Sequence, residues 1–435
     1  MFLQAKLAAA VAASRPIRVC LIGSGKFGSM FLAQVPTTAG LEVTRIADLL
    51  PDQARLACQT VGWCEAQIAA TAFTDDALTA LSADDVDVVV EATGNPHAGI
   101  RHARAAIAAG KHIVMVNVEA DVLAGAALAR EARAAGVVYT MAYGDQPALT
   151  AEIVDWARSC GFDIVCAGKG TKYRPHYHQS TPDTVWGNLG FDPEQAVRDG
   201  MNPKMFNSFV DGTKSALEMA AIANACHLTP PSDGLLFPPC GVDDLAHILR
   251  PAAEGGVLER KGTVETVSSE ERDGRPVFRD LRWGVYAVFE APNDYAAGCF
   301  RQYGMNTDAS GRYSAMYKPF HLIGMELNIS ILSAALLHQA TGETLEFAGD
   351  VVATAKCDIL SGQTLDGEGG QYVWGKLIPA STSIAHHALP IGLAQDVVLK
   401  RDVKKGAVVS YDDIVTPVDN DVFAYRRAME CSDTA

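Results

Sequence analysis

The sequence predicts an α/β protein: a Rossmann doubly wound parallel sheet, an α+β substrate and dimerisation domain, and a small β-rich carboxyl-terminal domain. Three observations predict it. Ile17 to Gly28 runs an apolar strand straight into Gly23-x-Gly25-x-x-Gly28. Residues 15 to about 142 alternate short apolar runs with amphipathic, alanine-rich segments, the pattern of strand–helix crossovers in a parallel sheet covered on both faces. After Gly144 the texture changes to proline-rich turns and alternating runs, and from about Leu389 to short strand-like runs. The expected domains are 1–150, 151–345 and 346–435, with a helix over 320–340 able to pack back on the first.

Composition narrows the function classes. A chain of 435 residues exceeds one ordinary core, and 49% hydrophobic with 20% charged residues describes a soluble globular protein. The net charge of −15 opposes nucleic acid and anionic membrane surfaces, while leaving room for a local basic site and a small anionic substrate. No apolar run reaches the roughly 18–20 residues of a membrane span. Met1 to Ser14 reads as a short surface helix, its apolar spacing broken by Gln4 and Lys6. The ten cysteines are scattered without C-x-x-C spacing and read as reduced thiols of a cytoplasmic protein.

In the first domain, strands are expected at Ile17–Ile22, Leu41–Ala47, Val86–Glu91, Lys111–Asn117 and Val137–Met141. Helices are expected at Lys26–Val35, Asp52–Val61, Pro96–Ala109 and Ala120–Ala135. Gly23 allows the tight turn, Gly25 lets the backbone approach a pyrophosphate, and Gly28 lets the helix pack on the strand. Ser24, Lys26 and Phe27 complete that cofactor loop. The alternative is a plain packing turn. Asp48 closes the second strand about 20 residues after the last glycine, where an acid meets the ribose hydroxyl of NAD. Arg45 and Arg55 flank it and could receive the 2′-phosphate of NADP instead. Thr93, Gly94 and Asn117 stand at strand ends, where nicotinamide or ribose would lie.

Beyond Gly144-Asp145-Gln146-Pro147 a helix is expected to Ser159, then a strand over Val165 to Lys172. Lys169, Lys172, Arg174, His176 and His178 form a local anion trap or, on the bland reading, a solvated loop. His176-x-His178 could bind metal. One strong helix is expected over Ser208 to Ala225, with Lys214 and Glu218 four apart on one face. Thr263–Ser268 and Trp283–Glu290 read as β-hairpins. Lys318 and His321 stand just before a long apolar helix, Met325 to Leu337, a favourable place for an anion. Gly362 to Gly370 reads as a loop.

Gly23-x-Gly25-x-x-Gly28, Glu91-Ala92-Thr93-Gly94 and Asn117 resemble the nucleotide domain of homoserine dehydrogenases. Asp211-Gly212-x-Lys214-x-x-x-Glu218-Met219-Ala220 resembles that family's catalytic helix, and the end, with Lys400-Arg401-Asp402-Val403-x-x-Gly406, is similar to the SAF module. The combination resembles homoserine-dehydrogenase-like proteins with a carboxyl-terminal SAF domain, among them the DXR-like (DRL) reductoisomerases. That resemblance implies NADPH, a homodimer and conversion of 1-deoxy-D-xylulose 5-phosphate to 2-C-methyl-D-erythritol 4-phosphate, a step of isoprenoid precursor synthesis. Val118 stands where homoserine dehydrogenases carry a lysine, and Lys214 and Glu218 exchange that family's charges, which points away from homoserine oxidation.

Lys214 is the expected proton donor for the developing alkoxide, held by Glu218, with Asp211 beside them. Lys172, Lys169 and Arg174, helped by Lys318 and His321, would grip phosphate or carboxylate. Asp145, Asp211 and Glu119 could contribute through a divalent metal. NADP is favoured over NAD on the resemblance. Homoserine or sugar-acid dehydrogenase is the second reading, and a non-catalytic dinucleotide sensor the third.

Overall fold

A computed structural model describes residues 3–417 and 420–432. The strands are β1 (Ile17–Ile22), β2 (Leu41–Ala47), β3 (Ala72–Thr74), β4 (Val88–Glu91), β5 (His112–Met115), β6 (Tyr139–Met141), β7 (Asp163–Thr171), β8 (Thr263–Ser268), β9 (Val285–Glu290), β10 (Tyr313–Lys318), β11 (Gly349–Ala355), β12 (Thr364–Asp366), β13 (Val373–Pro379) and β14 (Gln395–Val398). The helices are α1 (Leu3–Ala12), α2 (Lys26–Leu32), α3 (Pro51–Thr60), α4 (Glu65–Ala70), α5 (Ala77–Leu81), α6 (Pro96–Ala108), α7 (Val118–Ala135), α8 (Gln146–Ser159), α9 (Val185–Leu189), α10 (Pro193–Arg198), α11 (Pro203–Asp211), α12 (Thr213–Cys226), α13 (Leu245–Ile248), α14 (Asp294–Gln302), α15 (Asn328–Leu337), α16 (Ala380–Ala385) and α17 (Asp421–Ser432). Two compact units result, Met1–Leu149 with His321–Leu345, and Thr150–Phe320 with Glu346–Ala435.

The first unit is a six-stranded sheet in the order β3-β2-β1-β4-β5-β6, parallel throughout. Central β1 is buried along almost its whole length, and Val19 pairs with Val43 on one side and Val88 on the other. Such continuous apolar strands are what a sheet covered on both faces requires. Val19, Leu21, Phe31, Leu32 and Ile46 pack with Leu327 and Ile331 of the returning segment. β3 is only three residues long and α4 and α5 are short, too little for a periodic signal.

The second unit is built on the sheet β10-β9-β7-β8. β7 runs parallel to β8 and antiparallel to β9. The expected hairpins are therefore corrected: β7 lies between the two strands, and its N–H and C=O groups face a neighbour on each edge. The single helix expected over Ser208 to Ala225 is also corrected. It is α11 and α12, broken where Gly212 takes φ +90°, a left-handed value that suits a residue without Cβ. α12 packs against β7 and β8 and against the antiparallel pair β11–β13. Its alanine-rich sequence fits this burial from all sides. Lys318 ends β10 rather than preceding a helix, and the following helix begins at Asn328. The glycine-rich stretch at 362–370 holds β12, paired with β14. Among the described residues no helix is long and apolar enough to cross a membrane.

Candidate functional site

The glycine loop after β1 divides its work between the chain and open space. Gly23 has φ +92°, and a Cβ there would stand 2.7 Å from the Ala92 carbonyl oxygen. A Cβ on Gly28 would stand 2.4 Å from the Gly23 oxygen and near Leu21. These two glycines are needed for packing. Gly25 is different: nothing of the chain lies within 4 Å of its Cβ position, and its φ of −60° suits any residue. Absence of a side chain at Gly25 leaves room for a group outside the chain, the role a pyrophosphate would fill.

Asp48, directly after β2, locks this loop. Its Oδ2 accepts from the Ser24 N–H at 2.8 Å and the Ser24 hydroxyl at 2.6 Å, and its Oδ1 accepts from the Leu50 N–H at 3.0 Å. Partial burial pushes its carboxyl up, but the Ser24 and Leu50 bonds outweigh that and hold it below the ordinary value. Arg45 turns instead to Asp85, at 2.6 Å, and Arg55 lies over the Phe73 ring at 4.2 Å. Lys26 is exposed and Phe27 half-buried at the start of α2.

At the end of β4, Thr93 donates to the buried carboxylate of Glu91 at 2.6 Å, which also meets His102 at 3.2 Å. Gly94 takes φ +69° in the turn that follows. Asn117 is 2% exposed. Its Nδ2 donates to the Asn95 oxygen at 2.9 Å and its Oδ1 caps α7 through the Ala120 N–H at 3.0 Å. Both polar ends of Asn117 thus shape the turn between the end of β4 and the start of α7.

In the second unit the site grows from α12. Every residue of this helix is buried except Lys214, in its first turn. Glu218 lies one turn on and is ion-paired with Lys169 of β7, both buried. Lys169 is therefore a partner of α12 rather than a member of an open anion trap, a correction that follows from its burial. Lys172 and Arg174 converge on one carboxylate, Glu270, at 3.7 Å and 2.6 Å. Two cations on one anion leave a single net positive charge.

Asp211 ends α11, fully buried, with Oδ2 2.7 Å from the Lys356 ammonium and Oδ1 accepting the Thr213 N–H at 2.9 Å. This corrects its expected part in a metal site, since both oxygens are taken by the chain. The His176-x-His178 pair is corrected too. His178 Nδ1 lies 2.7 Å from the Asp211 carbonyl oxygen, and its Nε2 lies 2.9 Å from the Tyr173 hydroxyl. The carbonyl can only accept, so Nδ1 carries the hydrogen and Nε2 accepts from Tyr173. Burial lowers the His178 pKa and keeps the ring neutral, stacked on Trp374 at 3.9 Å. Among the described residues no group of three His, Cys, Asp or Glu is placed to hold a metal ion. Asp145 accepts from the Gln146 N–H at 2.8 Å, Lys318 lies over the Phe320 ring at 5.4 Å, and His321 opens the segment that returns to the first unit.

Sequence reasoning missed Lys356, Trp374 and Glu265. Glu265 is a fully buried carboxyl on β8 that accepts the N–H groups of Leu236, Phe237 and Thr266. Burial pushes its pKa up to about 7 against those bonds. A lone lysine, tryptophan or glutamate in a strand-like run carries no local mark of such a role.

Residues 17–143 match the family model described as the oxidoreductase family, NAD-binding Rossmann fold, and residues 144–327 match that of the oxidoreductase DRL catalytic domain. No curated protein matches the chain. Among solved structures, the open conformation of KijD10, a 3-ketoreductase from Actinomadura kijaniata in complex with TDP-benzene and NADP, is 20% identical over 37% of this chain and 50% of its own, TM-score 0.26. This chain thus spans about half of that protein's length. A probable dehydrogenase from Thermotoga maritima is 14% identical over 63% of this chain and 72% of its own, TM-score 0.33. The myo-inositol dehydrogenase from Lactobacillus casei is 15% identical over 40% and 50%, TM-score 0.29. The chain thus carries a segment similar to an NAD-binding Rossmann fold of oxidoreductases, followed by one similar to the catalytic domain of the oxidoreductase DRL.

Proposed function

We propose that this enzyme reduces the carbonyl group of a small phosphorylated sugar, in the manner of a 1-deoxy-D-xylulose 5-phosphate reductoisomerase. The observation that carries the reading is Lys214, the one unburied residue of α12, inside the segment that matches the DRL catalytic domain. The open space at Gly25, between two close-packed glycines, fits a dinucleotide. When bound, the nicotinamide supplies a hydride. Lys214 gives a proton to the carbonyl oxygen as negative charge develops there. Glu218 is satisfied by Lys169, so the pair adds little net charge beside Lys214. Lys172 and Arg174 hold the anionic end of the substrate with their residual positive charge.

For the cofactor, the DRL resemblance favours NADPH, whereas the ionised Asp48 would repel a 2′-phosphate and Arg45 is spent on Asp85. We take NADH as the preferred partner on this charge argument. A homodimer is the expected assembly, and sedimentation as a monomer would reject it.

One observation favours a second reading. Lys172 and Arg174 share Glu270, and one net positive charge matches a carboxylate better than a phosphate dianion, as in a sugar-acid dehydrogenase. The test is oxidation of NADH and NADPH with 1-deoxy-D-xylulose 5-phosphate, with and without a divalent cation, followed by product identification. Formation of the branched erythritol phosphate supports the first reading. Turnover of sugar acids alone supports the second. A Lys214→Ala variant that keeps full turnover sinks the proton-donor assignment.

A further inference from the structure

Lys356 is a lysine without solvent. Its side chain is 2% exposed, beside an Asp211 side chain that is 0% exposed. All three of its ammonium hydrogens have acceptors, each at 2.7 Å: Asp211 Oδ2 and the main-chain oxygens of Ser180 and Gly370. Burying such a pair is costly, and apolar residues of like volume would serve packing as well or better.

The three acceptors come from segments distant in sequence: the turn after Pro175–Gln179, the α11–α12 junction, and the loop before β13. Asp211 passes the constraint on. Its Oδ1 caps the Thr213 N–H, and its main-chain oxygen accepts from His178. Thr213 in turn accepts the Gly375 N–H at 2.8 Å through its hydroxyl. Between Asp211 and Thr213 stands Gly212, whose left-handed backbone would otherwise let α12 swing relative to α11. The residue directly after this clamp is Lys214.

We infer that Lys356, acting through Asp211, is a positioning residue that fixes the first turn of α12 and thereby the ammonium of Lys214. The inference rests on the proposed function only where it is read out by turnover. It places the group that aims the proton donor about 140 residues away in sequence, in a part of the chain beyond the matched DRL segment.

The test uses the full chain with two variants. Lys356→Met leaves Asp211 charged in the core, so it is the less stable of the two. Lys356→Met with Asp211→Asn removes both charges and keeps an oxygen to cap Thr213. The Lys214 signal is followed by NMR after ¹³C reductive methylation and assigned by its loss in Lys214→Arg. In the folded double variant the Lys214 titration midpoint is expected to move by about half a pH unit or more, as its surroundings change. kcat is expected to fall about 10²-fold, the cost of a misplacement near 1 Å, with the cofactor KM unmoved. A double variant that folds and keeps the wild-type Lys214 midpoint overturns the inference. So does failure of both variants to fold, which would make the pair a stability device alone. If the wild-type enzyme turns over no sugar phosphate or sugar acid, the functional reading fails by itself, and the Lys214 midpoint still decides the positioning role.

Discussion

Gly25→Ala separates what the chain needs from what a ligand needs. The backbone at Gly25, φ −60° and ψ −159°, is extended and open to alanine, and no atom of the chain lies within 4 Å of the new methyl. Folding therefore loses nothing. Restricting the unfolded chain should even add about 0.4–1 kcal/mol of stability. The methyl does, however, occupy the space through which a pyrophosphate would approach the loop. Loss of close contact there is expected to weaken cofactor binding at least about tenfold, or about 1.4 kcal/mol. Gly28→Ala is the control with the opposite signature. Its Cβ would sit 2.4 Å from the Gly23 oxygen, a backbone atom that cannot step aside alone. Overpacking of that kind costs about 1–3 kcal/mol. Urea denaturation gives the stabilities, and titration of NADH fluorescence gives the affinities. Gly25→Ala with wild-type affinity, or with the instability of Gly28→Ala, would refute the reasoning.

Two further predictions concern stability. Arg426 of α17 is fully buried between Asp350 at 2.6 Å and Glu430 at 2.8 Å; Glu430 also pairs with Arg427 at 2.5 Å, so Arg426→Met takes the cation from buried Asp350 and should cost about 3–5 kcal/mol in urea denaturation. A loss below about 1 kcal/mol would show that Asp350 finds another partner or a proton. Glu265 has its pKa raised by burial from the ordinary 4.5 to about 7, so the folded state keeps a proton that the unfolded chain releases. Stability should therefore fall as pH rises from about 4.5 to about 7, by about 3 kcal/mol in all, and be full below that window. Comparing denaturation of wild type and Glu265→Gln across pH isolates this effect, and parallel curves would count against it.

The sequence alone was enough for the frame of the Rossmann unit, apart from the short β3, α4 and α5. The strand into Gly23-x-Gly25-x-x-Gly28, the regular alternation that follows and Asp48 at the end of β2 are local signals, and the parallel order of β1 to β6 follows from crossover units of ordinary length. That Lys214 and Glu218 share one helix, four residues apart, was legible for the same reason. What only the tertiary structure decided is which charges remain available. Lys169, Lys172 and Arg174 read as one cationic cluster along the chain, yet Glu218 comes from α12 and Glu270 from the segment after β8. Asp211 read as a catalytic or metal-binding acid until Lys356 arrived from across the fold to neutralise it. Arg45 read as a phosphate partner until Asp85 took it. Helices and glycine turns arise from neighbours a few residues apart and leave a periodic trace. These ion pairs join residues 40 to 145 positions apart, and nothing in the spacing of either partner records where the other will be.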